Sequence, residues 1–174
     1  MELSKYIACL CEGTAEEVII NILLDNDKLI FNRSQLIEET PLRCRDAKTF
    51  ETRHLRKGFS DQISIIRILD SRREKFNLSK AYQHKIDVIN VITAPEIEML
   101  VILAENKYTA YKAKSSHMSP SEFCKQDLQY RHVKSRDFVQ KYFQDVNKLI
   151  AAIHEYKRVS NIPNGEYSLA DLLK

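Results

Sequence analysis

The sequence predicts an α/β fold: a mainly parallel sheet flanked by helices, with a helical C-terminal part. Three observations support this prediction. First, several short apolar runs rich in β-branched residues end at a turn or at an acidic residue. Second, segments whose apolar residues recur with the spacing of a helix alternate with these runs. Third, a long segment with this helical spacing follows residue 135. Strands that alternate with helices are typical of parallel sheets covered on both faces. In such sheets the functional crevice lies outside the carboxyl ends of the strands.

The composition is that of one ordinary globular domain and excludes several classes of protein. The chain has only three glycines and contains neither a GxGxxG nor a Walker A pattern. A glycine-rich phosphate-binding loop is therefore not expected. Four cysteines fit no zinc spacing: Cys9, Cys11, Cys44 and Cys124. The N-terminal run lacks the form of a signal peptide, and no apolar stretch reaches the roughly 20 residues of a membrane helix. We therefore expect a cytoplasmic protein that does not enter the membrane.

The N-terminal segment predicts a strand followed by a helix. Residues 5–11 form an apolar run that is too short for a helix and is followed closely by Gly13, which favours a buried strand. Thr14 has the spacing of an N-cap, with Glu17 three residues later as in a capping box. The apolar period then continues to Asp25, so we predict a helix up to that residue.

The stretch that follows is less regular. Residues 28–31 and 42–44 are predicted as short strands or strand-like loop, and residues 46–57 as a surface helix closed by Gly58. Residues 63–69 and 86–92 are β-branched runs that predict two further strands. The second of these leads into a helix with Pro95 in its first turn, which we expect to continue through Leu103.

The C-terminal part predicts helices. A short helix is expected from Ser121 through Leu128, and a single long helix from its cap at Ser135 to about Tyr156. The Asn164-Gly165 pair indicates a turn, after which residues 168–173 form a short terminal helix.

Acids follow each of the three main predicted strands: Glu12 after the first, Asp70 after the second, and Glu96 with Glu98 after the third. Carboxylates gathered without Cys or His are the oxygen ligands that Mg²⁺ or Mn²⁺ prefers, and such ions promote phosphodiester chemistry. The alternative is that each acid only stabilises a helix N-terminus, where the helix dipole favours negative charge. Their common place at one end of a parallel sheet favours a metal site.

The middle of the chain is basic. Residues 41–80 hold 11 Lys or Arg against 5 Asp or Glu, whereas residues 1–40 hold 3 against 8. The basic residues of this segment can bind phosphate groups. Alternatively, they lie on a solvent-exposed helix face and pair with acidic residues of their own. The predicted nucleic-acid-binding residues are Arg43, Arg45, Arg53, Arg56, Lys57, Arg72 and Arg73.

Three segments resemble motifs of TOPRIM domains. The opening YIACLCEGTAEEVIINILL is similar to the first TOPRIM motif, a strand that ends in a Glu-Gly turn with a second acid on the helix. The segment RILDSR stands where the family has its DxD motif, and VITAPEIEML resembles a segment of RloB-like members. The resemblance implies a TOPRIM-like α/β core over residues 1–106 and a helical extension over residues 107–174 packed on the same domain.

The resemblance also implies an activity, the cleavage or nicking of nucleic acid, DNA or RNA, with Mg²⁺ or Mn²⁺. Glu12 would be the general acid/base or a ligand, Asp70 a metal ligand and Glu98 a supporting catalytic residue, with Glu16 and Glu74 as further ligands. Relatives of the RloB-like and OLD types act in bacterial anti-phage defence beside an ATPase, which implies an ATPase partner. The residues leave homo-oligomerisation open.

The chain departs from the TOPRIM pattern at one position. Arg72 stands where the DxD motif has its second aspartate. Either Glu74 or Glu96 substitutes for it, or the domain has lost catalysis and serves as a binding or regulatory subunit.

Overall fold

The computed structural model describes residues 2–55 and 62–174. Four strands form a parallel sheet in the order β2-β1-β3-β4. They are β1 (Tyr6–Cys11), β2 (Leu42–Arg43), β3 (Ile63–Leu69) and β4 (Ile86–Ile92). Helices flank this sheet, so the predicted α/β class with a helical C-terminal part is confirmed.

The register of the sheet brings three strand ends to one level. Cys11 of β1 pairs with Ile68 of β3, and Leu69 of β3 pairs with Ile92 of β4. The residues that follow these strands, including Glu12 and Asp70, therefore leave the sheet along the same edge. This edge is where the sequence predicts the functional crevice.

The described residues form seven α-helices. They are α1 (Thr14–Asp25), α2 (Ala47–Phe50), α3 (Met99–Ala104), α4 (Tyr108–Lys114), α5 (Pro120–Gln126), α6 (Arg136–Tyr142) and α7 (Val146–Val159). A π-helical turn (Glu51–Leu55) follows α2, and two 3₁₀ helices span Arg33–Gln35 and Leu169–Leu172.

Both faces of the sheet are apolar, and the two cores differ in size. On β1, Ile7, Cys9 and Cys11 belong to the larger core, which α1 and the helices from α3 to α7 cover. Ala8 and Leu10 belong to the smaller core on the opposite face, together with Phe50 of α2. A parallel strand that is buried on both faces reads as a continuous apolar run, which is why the strands were visible in the sequence.

The prediction of one long helix after Ser135 is wrong in one respect, because the structure has two helices there, α6 and α7. Ser135 does cap α6, since its side chain accepts a hydrogen bond from the Phe138 N–H. Helix α6 then ends at Tyr142, with the buried Phe143 as its C-cap. Asp145 is the N-cap of α7, and its side chain accepts a hydrogen bond from the Asn147 N–H. The apolar spacing continues across the break, so periodicity alone did not locate it.

Several predicted helix ends also differ. The helix after β4 begins at Met99, four residues later than Pro95. Gly13, not Thr14, is the N-cap of α1, and the expected box between Thr14 and Glu17 does not form.

Two further helices differ from the prediction. Helix α4 was not predicted at all, and α5 begins at Pro120, with Ser119 as its N-cap, instead of at Ser121. The predicted helix end at Gly58 lies outside the described residues. Within residues 2–55 and 62–174 no helix has the length and apolar character needed to cross a membrane.

Substitution of Asp145 tests the break between α6 and α7. We expect Asp145→Ala to lower the free energy of unfolding by about 1 kcal/mol, because the first turn of α7 loses its side-chain acceptor. Asp145→Asn keeps an acceptor at the same position and should remain close to wild type. Urea denaturation followed by circular dichroism measures both, and equal stability of the two variants would contradict the cap.

Candidate functional site

Two carboxyl groups meet at the carboxyl ends of β1 and β3. Glu12 follows β1 directly, and Glu74 lies in the segment after β3. The side chains of Glu12 and Glu74 are close enough that Glu74 raises the pKa of Glu12. The Oε1 atom of Glu12 is buried and has no hydrogen-bond partner among the described residues. A proton on Glu12 or a bound cation would offset the repulsion between these two like groups.

The pKa of Glu12 reflects this arrangement. Burial, then the hydrogen bond and charge of Glu74, and finally the charge of Asp70 raise the pKa of Glu12 to about 8, whereas Arg45 lowers it. A carboxyl with a pKa near neutrality can accept or donate a proton at physiological pH. Such a shift is common at catalytic and cation-binding sites.

A buried arginine lies beneath the pair. Arg67 of β3 is only 2% exposed, and its Nη2 atom lies 3.5 Å from Glu74 Oε2. Its Nη1 atom lies 3.4 Å from Asn90 Oδ1, and its guanidinium stacks over the Phe76 ring at 4.7 Å. Nη2 makes no hydrogen bond to any described residue. Arg67 thus supplies a fixed positive charge under the acidic pair.

The sequence prediction missed Arg67 as part of the site. It interrupts the β-branched run of β3, where every residue of the strand is buried. A charge inside such a run needs a partner, because an unpaired buried ion is costly. That signal was present in the sequence, but it did not identify the partner.

A second acidic group lies beside the first. Glu16 of α1 and Glu98 at the start of α3 are 7% and 4% exposed. Lys134, between α5 and α6, places its Nζ atom 3.5 Å from Glu96 Oε1 and 3.9 Å from Glu98 Oε2. The other carboxylate oxygen of Glu96 accepts a hydrogen bond from the Ser121 N–H at 2.8 Å. The sequence prediction did not single out Lys134, which comes from the C-terminal part of the chain.

The two groups form one electrostatic unit. Burial raises the pKa of Glu98 to about 7, against the opposing charge of Lys134. Burial also raises the pKa of Glu16, and the charge of Asp70 adds to this. We call the five carboxyls of Glu12, Glu16, Asp70, Glu74 and Glu98 the acidic strip. It includes Glu12, Asp70 and Glu98 of the acids predicted after the strands, whereas Glu96 pairs with Lys134 and accepts from the Ser121 N–H.

Gly13 has a steric role in this strip. A Cβ atom at Gly13 would lie 2.6 Å from Glu16 Oε2, so any larger residue forces the carboxylate to move. Backbone hydrogen bonds from Glu16 itself and from Gly13 stabilise the charged form of the Glu16 carboxylate. They therefore lower its pKa, which opposes the increase caused by burial. The glycine of the Glu-Gly turn is thus needed for close approach of the Glu16 side chain.

The acidic strip is not a preformed cage for an ion. In residues 2–55 and 62–174, no three His, Cys, Asp or Glu side chains are arranged so that they could hold a metal ion. Glu12 and Glu74 form a pair, Asp70 is exposed beside them, and Glu16 and Glu98 turn toward Lys134. Any cation at Glu12 and Glu74 would therefore need water or substrate oxygens to complete its coordination.

The predicted basic residues have different surroundings. Arg43, Arg45, Arg53 and Arg73 are exposed. Arg72 is also exposed, but its Nε atom donates to Glu166 Oε2 at 2.8 Å. Arg56 and Lys57 lie outside the described residues. Arg45 lies near enough to Glu12 to lower its pKa, and the Nε atom of Arg43 lies 4.0 Å from Glu17 Oε2.

Comparisons of the chain with protein-family models, with curated proteins and with solved structures found no match. The TOPRIM resemblance therefore remains a prediction from the motifs.

Substitution of Glu98 tests the cost of its burial. Because its pKa is raised from 4.5 to about 7, the folded protein keeps a proton that the unfolded chain loses between these pH values. Glu98 thus destabilises the fold increasingly as the pH rises from 4.5 to about 7, by up to about 3 kcal/mol. We expect Glu98→Gln to raise the melting temperature at pH 8 and to change it little at pH 4.5.

Thermal unfolding of both proteins across this pH range is the measurement. The exposed Glu2→Gln is the control and should follow wild type throughout. A stability difference between Glu98→Gln and wild type that does not vary with pH would rule out the raised pKa.

Proposed function

We propose that the pair of Glu12 and Glu74 binds one divalent cation, Mg²⁺ or Mn²⁺, and that the chain cleaves phosphodiester bonds in nucleic acid. The supporting observation is the buried, unpartnered Oε1 of Glu12, whose pKa is raised by the neighbouring Glu74. An arrangement of two carboxyl groups without a cation between them is costly, and a bound cation would remove that cost.

The donor set fits such an ion. The ligands are carboxylate oxygens, and Mg²⁺ is usually bound through one or two carboxylates while water and substrate phosphate supply the rest. Asp70 is exposed and its charge acts on Glu12, so it can contact a water molecule bound to the ion. When bound, the ion would polarise the scissile phosphate and stabilise the charge that develops on it.

The remaining residues have roles that follow from their positions. The raised pKa of Glu12 keeps a proton on this carboxyl near pH 7, which cation binding would displace. Arg67 offsets part of the negative charge, so that the pair does not repel a phosphate as strongly as two free carboxylates would. Exposed Arg43, Arg45 and Arg73 flank the edge and can contact the nucleic-acid backbone.

A second candidate function is that of a non-catalytic binding or regulatory subunit. Two observations favour it. Arg67 already provides a cation next to Glu74, and Arg72 replaces the expected second aspartate and turns to Glu166. The same fold would then bind a protein or a nucleic acid without cleaving it.

The cellular setting is proposed from the resemblance alone. An ATPase partner and a role in anti-phage defence follow from the RloB-like and OLD-type relatives. A cytoplasmic location fits the four cysteines, which are free thiols in the buried interior.

Nuclease assays on plasmid DNA and tRNA separate the two candidates. With Mg²⁺ or Mn²⁺ we expect the wild-type chain to nick or cleave at least one of these substrates. Glu12→Gln and Asp70→Asn should lower the rate at least about 100-fold, because each removes a carboxylate from the proposed centre. The exposed acids Glu2 and Asp87, changed to Gln and Asn, are matched controls and should retain activity.

The opposite result favours the second candidate. A wild-type chain that leaves both substrates intact, alone and with a co-purified ATPase, would reject the nuclease proposal. Equal loss of activity in the control variants would reject it as well, since the effect would then not be specific to the acidic strip.

Calorimetric titration with Mn²⁺ tests the cation site without any activity. At pH 7 binding should release a proton, because the pKa of Glu12 is about 8 and its carboxyl is therefore mostly protonated at that pH. The apparent affinity should therefore rise with pH up to about 8, and Glu74→Gln should weaken it at least about tenfold. A binding enthalpy that is the same in buffers of different ionisation enthalpy would contradict proton release.

A further inference from the structure

A cleft of about 320 Å³ is lined in part by residues that are close in the sequence to those of the acidic strip. It is bounded by the segment after β3, the segment after β4, helix α4 and the end of α7. Its main lining residues are Arg72, Pro95, Tyr108, Lys112, Tyr156 and Asn161. We call it the α4–α7 cleft. Its volume lies at the lower end of the range for small-ligand sites.

The lining of the α4–α7 cleft is cationic and aromatic. Arg72 and Lys112 are both exposed, and no acid is found among the described residues that line the cleft. Tyr156 is fixed, because its hydroxyl donates to the Ala94 carbonyl at 2.5 Å. Tyr108 is half-buried and keeps part of its ring accessible. Cations beside an accessible aromatic ring suit a phosphate next to a base.

The chain connects the α4–α7 cleft to the acidic strip at two points. Arg72 lies between Asp70 and Glu74 in the sequence, and Pro95 lies three residues before Glu98, which pairs with Lys134. A nucleic-acid strand laid over the strip would therefore bring a neighbouring nucleotide to the mouth of the cleft. A free backbone phosphate would compete with Glu166 for the Arg72 guanidinium.

We propose that the α4–α7 cleft binds one nucleotide unit of a single-stranded nucleic acid. The base stacks on Tyr108, and the adjoining phosphate pairs with Arg72 and Lys112. As a subsite for the strand that is cleaved, this assignment rests on the proposed function. It also gives a role to Arg72, which is a substrate-binding residue in place of the missing aspartate.

Fluorescence anisotropy with a labelled single-stranded oligonucleotide, as DNA and as RNA, tests the subsite. The assay contains EDTA, so that neither cation binding nor cleavage contributes. Tyr108→Leu keeps apolar bulk but loses the flat ring, and we expect about tenfold weaker binding. Tyr108→Phe keeps the ring and should bind like wild type.

Arg72 has its own matched control. Arg72→Met should weaken binding about fivefold or more and lower the slope of log affinity against log salt by about 0.7, as for one lost phosphate contact on a single strand. Glu166→Gln breaks the same ion pair but frees Arg72, so binding should be unchanged or tighter. The exposed Lys141→Met, on α6, controls for the loss of one positive charge.

Four outcomes would overturn the subsite. The first is that the wild-type protein binds neither oligonucleotide, and the second is that Tyr108→Leu and Tyr108→Phe bind the oligonucleotide with equal affinity. The third is that Arg72→Met and Glu166→Gln weaken oligonucleotide binding equally. The fourth is that a free mononucleotide binds more tightly than the oligonucleotide. The last would indicate a site for a free nucleotide. Loss of cleavage with binding intact in Glu12→Gln concerns the cation site only, so the two proposals fail separately.

Discussion

The contact between the Glu12 and Glu74 carboxyls above the buried guanidinium of Arg67 is the interaction on which the acidic edge depends. It exists because β1 and β3 run in parallel and in a register that ends them at one level. Two acids beside one buried cation leave an excess of negative charge at this edge. The neighbouring charges of Asp70, which raises the pKa of Glu12, and of Arg45, which lowers it, then adjust how firmly Glu12 holds its proton.

A second cation balances the other half of the acidic strip. Lys134 approaches Glu96 and Glu98 from the segment between α5 and α6. Nearby, Arg136 of α6 donates to Glu17 of α1 at 2.6 Å, which also ties the C-terminal part to the sheet-proximal helix. The C-terminal helices therefore contribute charge to the edge as well as apolar packing against the larger core.

The strands and the acids that follow them were predictable, because a buried parallel strand is a continuous apolar run and its end is marked by the first polar residue. The break between α6 and α7 was not, because Phe143 and the residues of α7 keep one apolar period on both sides of it. The start of α3 was misplaced for a related reason. Pro95 suits a first helical turn, yet the chain after β4 makes a further turn before Met99.

The sequence alone determined that this chain forms a parallel α/β sheet and that Glu12, Asp70 and Glu98 follow its strands, since both depend on local apolar patterns. Only the tertiary structure decided which charges meet. Glu74 acts on Glu12, and Arg67 lies near Glu74. Lys134 pairs with Glu98, and Arg72 pairs with Glu166. Such pairings join residues up to 94 positions apart, and their strength depends on burial, which no local pattern encodes.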